Sequence, residues 1–380
     1  LPKETGGRRL SVACIGPAGE AHSLISAIIT EDGRAAARSG LGAVMGSKRL
    51  KAVAVRGQNE TPVADSTRVS ELRKQFVKAI KETEVPFIKA LKVGGTVGYM
   101  QPFVKGGATP FKNWSLIGLE SMPSYEPFDD RVNKYVVRRS ACATCPIGCG
   151  GTLKCEEIGL GESKRPEYET AAAFGPMCLN NDVAAVLKAN DICTRYGIDT
   201  ISTGAVIAFA MECYKRGVIT KQDTDGIKMT WGNGSAIVAM VEKVAKREGF
   251  GAILGDGVKR AAERIGRGAE EWAIHVGGQA LGYHDPRQIP ARGTGYIVDP
   301  TPGRHTTFLV GRLLDVGALP GPYPEFFEPK VECRVYGHKS LVYGKCAKYE
   351  QVFASAGLCK FLLFTGGIFP MIDFVAAATG

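Results

Sequence analysis

From Asp65 onward the chain repeats one pattern. Apolar residues recur three or four positions apart, charged residues fill the gaps, and glycine closes the run. In "DSTRVSELRKQFVKAIKETE" (residues 65–84), Val69, Leu72, Phe76 and Ile80 fall on one helical face behind a capping Asp65. The same spacing predicts helices in "NDVAAVLKANDICTRYG" (181–197), "TISTGAVIAFAMECYKRG" (200–217), "GSAIVAMVEKVAKREG" (234–249) and "FGAILGDGVKRAAERIG" (250–266). Several of these end on a C-cap glycine. The first 57 residues read differently. "LSVACIG" (10–16) and "KAVAVRG" (51–57) predict strands. Between them, "EDGRAAARSGLGAVMGSKRL" (31–50) reads as a helical piece running into a glycine-rich loop.

These elements predict a mainly α protein, with multihelical domains following the C-terminal remnant of an α+β cofactor-binding domain. The polar stretch "QNETPVAD" (58–65) marks a boundary. The expected units are an α+β unit over 1–57, a helical domain over 58–275, and a second, truncated helical domain over 276–380. A looser Pro/Gly-rich stretch covers about 277–329. The chain opens on "LPKETGG" without Met and stops inside a pattern at "VAAATG", so it reads as a fragment.

Composition changes this picture in two places. Glycine is high, 48 of 380 residues, which suits backbone wrapped closely around cofactors. Net charge is +10, with the basic residues scattered. That favours a site for anions such as phosphates over a nucleic-acid surface, which would need a basic stripe with aromatics. The most apolar run, "FLLFTGGIFPMI" (361–372), is only 12 residues, too short to cross a bilayer. Eleven cysteines, an odd number in a long chain, point to a reducing compartment, read here as the cytoplasm.

Three of those cysteines carry the chemistry. "ACATCPIGCGG" (141–151) places Cys142, Cys145 and Cys149 at C-x2-C-x3-C. Pro146, Gly148, Gly150 and Gly151 argue against a helix there. A loop with converging thiolates is what an iron–sulfur cluster needs, plus one more sulfur from elsewhere. Zinc is the rival, although it usually shows two separated pairs. Cys359, beside Gly357 in "SAGLCKF", is the first choice for the fourth sulfur, ahead of Cys155 and Cys178. Cys14, Cys193, Cys213, Cys333 and Cys346 read as core or idle thiols. In the glycine-rich loop, the order Gly46-Ser47-Lys48 excludes a P-loop. Arg34 and Arg38, read as one helical turn apart, could clamp phosphates.

Taken in order, "GRAAARSGLGAVMGSKRLKAV", "CATCPIGC", "RPEYETAAAFGPMC", "YGIDTISTG", "HDPR" and "GLCKF" resemble the tungsten-containing aldehyde ferredoxin oxidoreductase family. The resemblance implies a chain lacking most of the N-terminal domain and the C-terminal end. It also implies a tungsten (or molybdenum) bis-pterin beside one [4Fe–4S] cluster, with aldehydes oxidised to carboxylic acids. Electrons would pass to ferredoxin or another low-potential carrier, and a homodimer or electron-transfer subunits would be further partners. Cys142, Cys145, Cys149 and Cys359 match the cluster ligands. Arg34, Ala35, Ala37 and Arg38 match one pterin segment, Ile198 and Asp199 a second, and Leu358 with Cys359 a third. Glu167 or Glu169 matches an active-site carboxylate, and His305 a histidine near the metal.

Departures loosen the substrate assignment. Ala354 and Thr194 stand where the family's pterin motifs usually carry Asp. "KAND" (188–191) replaces an E-x-x-H pattern that holds a metal at the dimer interface in some members, so that metal is not expected. "PTPGRHT" lacks the Arg and Lys expected around the histidine. The family includes tungsten-containing benzoyl-CoA reductases, so a reductase acting on such an acyl substrate is the second reading. An iron–sulfur electron-transfer module without catalysis is the third. It has no need of "PEYET", "IDTISTG" or the Arg34/Arg38 loop.

Overall fold

The computed structural model describes residues 10–30, 33–57, 59–122, 125–126, 128–288, 290–307, 337, 339–364 and 369–380. Cys333 and most of the expected Pro/Gly-rich stretch beyond residue 307 lie outside the described residues. Within them the chain is about half helical, with small antiparallel sheets. An α+β unit comes first and helical domains follow.

The first unit is a four-stranded sheet of β1 (Ser11–Ile15), β2 (Ile28–Thr30), β3 (Ala35–Ala36) and β4 (Ala52–Val55), ordered β3-β2-β1-β4. Both predicted strands are present as β1 and β4, paired with Ala13 opposite Val53. The segment between them corrects the sequence reading. Ala35 and Ala36 are extended and pair with Ile29 and Ile28, and the helix comes afterwards, over Leu41–Ser47. Arg34 and Arg38 therefore flank a strand and do not share a helical turn. The alanines and the long arginines permit a helix, but the β2 edge offers hydrogen bonds that an exposed helix could not match.

Four of the predicted helices form as Ser66–Glu82, Val183–Tyr196, Thr200–Lys215 and Gly234–Lys246. Asp65, Asp182, Asp199 and Asn233 cap them with side-chain oxygens. The fifth run splits into Phe250–Leu254 and Val258–Ile265, because Gly257 has φ +85°. Two further sheets were not read from the sequence. β5 (Pro110–Phe111) pairs with β6 (Leu116–Ile117), and β7 (Val136–Ser140), β8 (Gly150–Cys155) and β9 (Leu160–Lys164) form an antiparallel sheet. Their strands are two to six residues long and interrupted by glycines, too short for a clear period-two signal.

Helix Thr200–Lys215 is the axis of the main core. It is apolar all round, and residues 201–213 are buried. Gly204 lets it touch helix Tyr168–Phe174 backbone to backbone; a Cβ there would lie 2.4 Å from the Ala173 Cβ. A Thr170–Thr200 hydroxyl contact of 2.9 Å locks the register. This close approach sets the first turn of one helix beside the N-cap of the other, and Glu169 and Asp199 are those positions.

The N-terminal sheet is joined to these helices at several points. Ala27 N donates to Gly197 O at 2.7 Å, and a Cβ on Gly16 would strike the Tyr196 carbonyl. Asp256 receives both Arg247 nitrogens at 2.8 and 3.0 Å, Arg264 at 2.7 Å, and Leu24 N at 3.3 Å. Burial opposes ionisation of Asp256, but the two arginines and the amide outweigh it and hold its carboxyl below the usual value. A depressed folded-state pKa stabilises the fold above the unfolded value, about 3.9 for Asp, and that stability is lost as pH falls through the folded value. Asp256→Asn should cost about 3 kcal/mol at pH 7. It should also flatten the fall in Tm between neutral and acid pH, measured by calorimetry. An acid limb as steep as wild type would show that Asp256 is not one of its sources.

A second core gathers Ala291, Tyr343, Cys346, Phe353, Leu363, Phe369 and Met371 around helices Pro290–Val298, Lys339–Ser355 and Met371–Thr379. Phe76, from helix Ser66–Glu82, packs edge-on to Phe369 with ring centroids 4.7 Å apart. No described helix is long and apolar enough to cross a membrane.

Candidate active site

The cysteine loop is the turn of a hairpin. Ser140 of β7 pairs with Gly150 of β8, and residues 141–149 bulge out between them. Thr144 and Gly148 take positive φ, and Cys145 N closes a turn on Cys142 O at 3.0 Å. Ile147 is buried and anchors the loop in a small core with Ile80, Ile88 and Leu91. Cys145, Cys149, Phe361, Leu362 and Phe364 pack against that same core. The short 3-10 turn Lys360–Phe364 that follows Cys359 is thereby brought to the loop.

The four thiols act on one another. Cys142 and Cys359 are exposed, while Cys145 and Cys149 are half-buried. The protein packed around the Cys359 sulfur pushes its thiol up to about 11, and the charges of Cys149, Cys145 and Cys142 add to this. Cys149 is also raised, by burial and then Glu167, against the pull of Arg34. Thiols that oppose one another's ionisation become thiolates together when a cation holds them. Three thiols converge from one short loop and a fourth comes from a distant segment, the pattern a cluster needs. The donor set fits the iron–sulfur group. Cys155, Cys178, Cys193, Cys213 and Cys346 are buried.

Beside the loop lies a cavity of about 790 Å³. Five cationic side chains line it: Arg34, Arg38, Lys164, Arg165 and Arg292. Arg38 Nε and Arg292 Nε are buried without a hydrogen-bond partner, which fits a polar or anionic guest. Ala35, Ala37, Ile198 and Asp199 line the same cavity. Asp199 caps its helix through Ile201 N and Ser202 N at 3.1 and 3.0 Å and takes Arg38 Nη1 at 3.3 Å. Arg38 also donates to the Ala280 carbonyl. Leu358 is half-buried against the C-terminal core and is not a lining residue, whereas Phe361 and Phe364 are. Thr194 lines the cavity. At the expected interface-metal motif, Asn190 donates to Lys164 O at 2.8 Å and Asp191 pairs with Arg195 at 2.7 Å.

The two candidate carboxylates part company. Glu167 precedes helix Tyr168–Phe174 but does not cap it. Thr96 takes that role, accepting from Tyr168 N at 2.8 Å and donating to Glu167 Oε2 at 2.6 Å. The other Glu167 oxygen meets Arg34 Nη1 at 3.0 Å, and Arg34 Nη2 reaches Cys149 Sγ at 3.8 Å. Arg34 thus stands between the thiols and the cavity. Glu169 turns the other way. Its Oε2 accepts from Tyr283 N at 2.8 Å. Its Oε1 is buried, accepts no hydrogen bond from the described residues, and has His284 Nε2 at 3.2 Å and His305 Nε2 at 3.5 Å. His305 fits there because residue 282 is glycine; a Cβ would lie 2.5 Å from its Nδ1. Burial holds His305 far below its usual value, at about 3, with His284, Arg292 and Arg38 adding to the effect against Glu169. It is neutral at physiological pH.

His284, Thr96, Arg292, Lys164 and Arg165 went unassigned in the sequence reading. His284 carried the one available signal, its place in "HDPR". The cavity's aromatic wall of Phe87, Tyr99, Phe103, Phe361 and Phe364 comes from three separate segments, with edge-on ring pairs such as Phe87–Phe364 at 5.3 Å.

A thiol quartet abuts a cationic cavity with a carboxylate and imidazoles inside, the donor types that a redox cofactor needs. The chain belongs to the aldehyde ferredoxin oxidoreductase family: "Aldehyde ferredoxin oxidoreductase, N-terminal domain" matches residues 1–57, and "Aldehyde ferredoxin oxidoreductase, domains 2 & 3" matches 71–380. It is 34% identical over its whole length to the tungsten-containing aldehyde ferredoxin oxidoreductase of Pyrococcus furiosus and 32% to that of Thermococcus kodakarensis, spanning 61% of each. It is 30% identical, over 81% of its length and 49% of the relative, to an aliphatic sulfonate oxidoreductase, WOR-like subunit, of Pyrococcus furiosus. Both of the aldehyde ferredoxin oxidoreductase relatives are tungsten-containing. The fold matches the active-site complex BamBC of benzoyl coenzyme A reductase with TM-score 0.74 at 23% identity, over 99% of this chain and 62% of that one.

Proposed function

We propose that this chain is the catalytic part of a tungstopterin oxidoreductase that oxidises aldehydes to carboxylic acids in the cytoplasm. Its electrons leave through a [4Fe–4S] cluster to ferredoxin or a similar low-potential carrier. One observation carries the reading: Arg34 touches both Cys149 and Glu167, so the thiol quartet and the cavity share a wall one side chain thick.

In this reading Cys142, Cys145, Cys149 and Cys359 hold the cluster. Arg34, Ala35, Ala37, Arg38, Ile198 and Asp199 seat the pterins, with Arg38 and Arg292 offering unpaired N–H groups to their polar edges. Bound there, a metal-pterin would supply two-electron redox chemistry and the cluster one-electron transfer. Glu169 takes the base role over Glu167, whose oxygens are tied to Arg34 and Thr96. Its free Oε1 can accept the proton of a water attacking the aldehyde carbon. His305, kept neutral, donates a hydrogen bond to the carbonyl oxygen. The second reading, a reductase of the benzoyl-CoA type, draws on the Phe and Tyr side chains around the cavity, which suit a planar ring.

The test is elemental analysis of the intact protein purified without oxygen, then dye-linked assays. We expect tungsten to iron near one to four and aldehyde-dependent reduction of a low-potential dye. Iron without tungsten or molybdenum would leave only an electron-transfer protein. Turnover of aryl-CoA esters but not aldehydes would give the site to the second reading.

A further inference from the structure

We infer that His284 is the proton acceptor behind Glu169: the carboxylate receives a proton from the reacting water and hands it to His284 Nε2, 3.2 Å away. The inference rests on the oxidative reading above and adds a residue to it.

The need comes from stoichiometry. Oxidation of an aldehyde to a carboxylic acid by water sends two electrons to the cofactor and releases two protons, while a single carboxylate holds one proton at a time. Glu169 Oε1 is buried, so bulk water cannot relieve it. Two imidazole nitrogens face that oxygen. His305 is the poorer acceptor, since it is farther off and burial among cationic neighbours keeps it neutral. His284 is nearer, and its ring is held on every side. It stacks on His305 with centroids 5.5 Å apart, lies against Tyr168, and meets the edge of Phe103. Its backbone is fixed by the Tyr296 hydroxyl, 2.9 Å from its carbonyl, and by Asp285 N on Ala108 O at 2.7 Å. Among the described residues, the titratable groups shown against it are Glu169 and Tyr168 on one helix, Tyr296 on another and His305 on its loop. In the transfer, the water O–H bond breaks and a proton bonds to Glu169 Oε1. That proton then moves to His284 Nε2, which regenerates the carboxylate to take the second proton, the one left when the aldehyde C–H pair is given up as two electrons. No electrons move in either step.

His284→Gln and His284→Tyr test this in the full-length holoenzyme. Glutamine keeps a polar group, tyrosine keeps the ring packing, and neither accepts a proton. Both should carry wild-type tungsten and iron, leave KM unchanged and lower kcat roughly 10- to 100-fold. The acid limb of the kcat profile should move toward acid, because a carboxylate then replaces an imidazole as the last proton acceptor. A second readout needs no turnover. In partly reduced enzyme, the electron paramagnetic resonance of the metal centre should change with pH over the wild-type range and lose that change in both variants. An unmoved pH profile with an unmoved resonance titration overturns the inference. So does loss of tungsten in both variants, which makes His284 a support of the cofactor. Failure of the functional reading itself is separately visible, as absence of tungsten from the wild-type protein.

Discussion

Cys359→Ala protein, purified without oxygen, is expected to lose most of its iron together with the broad visible absorbance of the cluster. The argument is one of reach. Three thiols sit in one nine-residue loop, and a four-iron cluster needs a fourth sulfur from elsewhere. Of the described cysteines outside the loop, Cys359 is the one whose thiol feels the charges of all three. The turn that follows it packs on Ile147, Ile88 and Leu91, the same core that anchors the loop. Replacing an exposed side chain there should cost the fold little, because Phe361, Leu362 and Phe364 keep their packing. Iron per chain and the visible spectrum, read beside circular dichroism, check this. A variant with unchanged iron would move the fourth ligand elsewhere. Cys178→Ala serves as the contrast: its thiol is fully buried in the main core, and it should keep the iron.

Glu169→Gln should lower aldehyde oxidation by roughly 10²- to 10⁴-fold with little change in KM and with tungsten and iron retained. Glutamine keeps the acceptor for Tyr283 N and the shape of the site, so what is lost is the carboxylate's ability to take a proton. Glu167→Gln should behave differently. Its carboxylate balances Arg34 next to Cys149, so the variant should shift the cluster's reduction potential more than the chemical step. Steady-state kinetics and a potentiometric titration of both variants separate the two roles. Activity of Glu169→Gln within about threefold of wild type would remove this residue from the proton chemistry.

The linear order of residues determined a great deal here. The capped amphipathic helices, the two outer strands of the first sheet and the loop character of residues 141–149 follow from local rules, because period, caps and glycine positions act within a few residues. The motifs named the proposed cluster cysteines and pterin segments for the same reason. Tertiary structure decided the rest. Ala35 and Ala36 are extended because a neighbouring strand was there to pair with them. Glu169 and Glu167 could not be told apart by a spacing of two, since their difference lies in Arg34 and Thr96 on one side and Tyr283, His284 and His305 on the other. His284 meets Glu169 across 115 positions of chain, and the Cys359 thiol feels the Cys149 charge from 210 positions away. Such encounters come from helices packing through Gly204 and from a shared core around Ile147. Local periodicity carries no record of them, because they are fixed by which faces bury one another once the whole chain has collapsed.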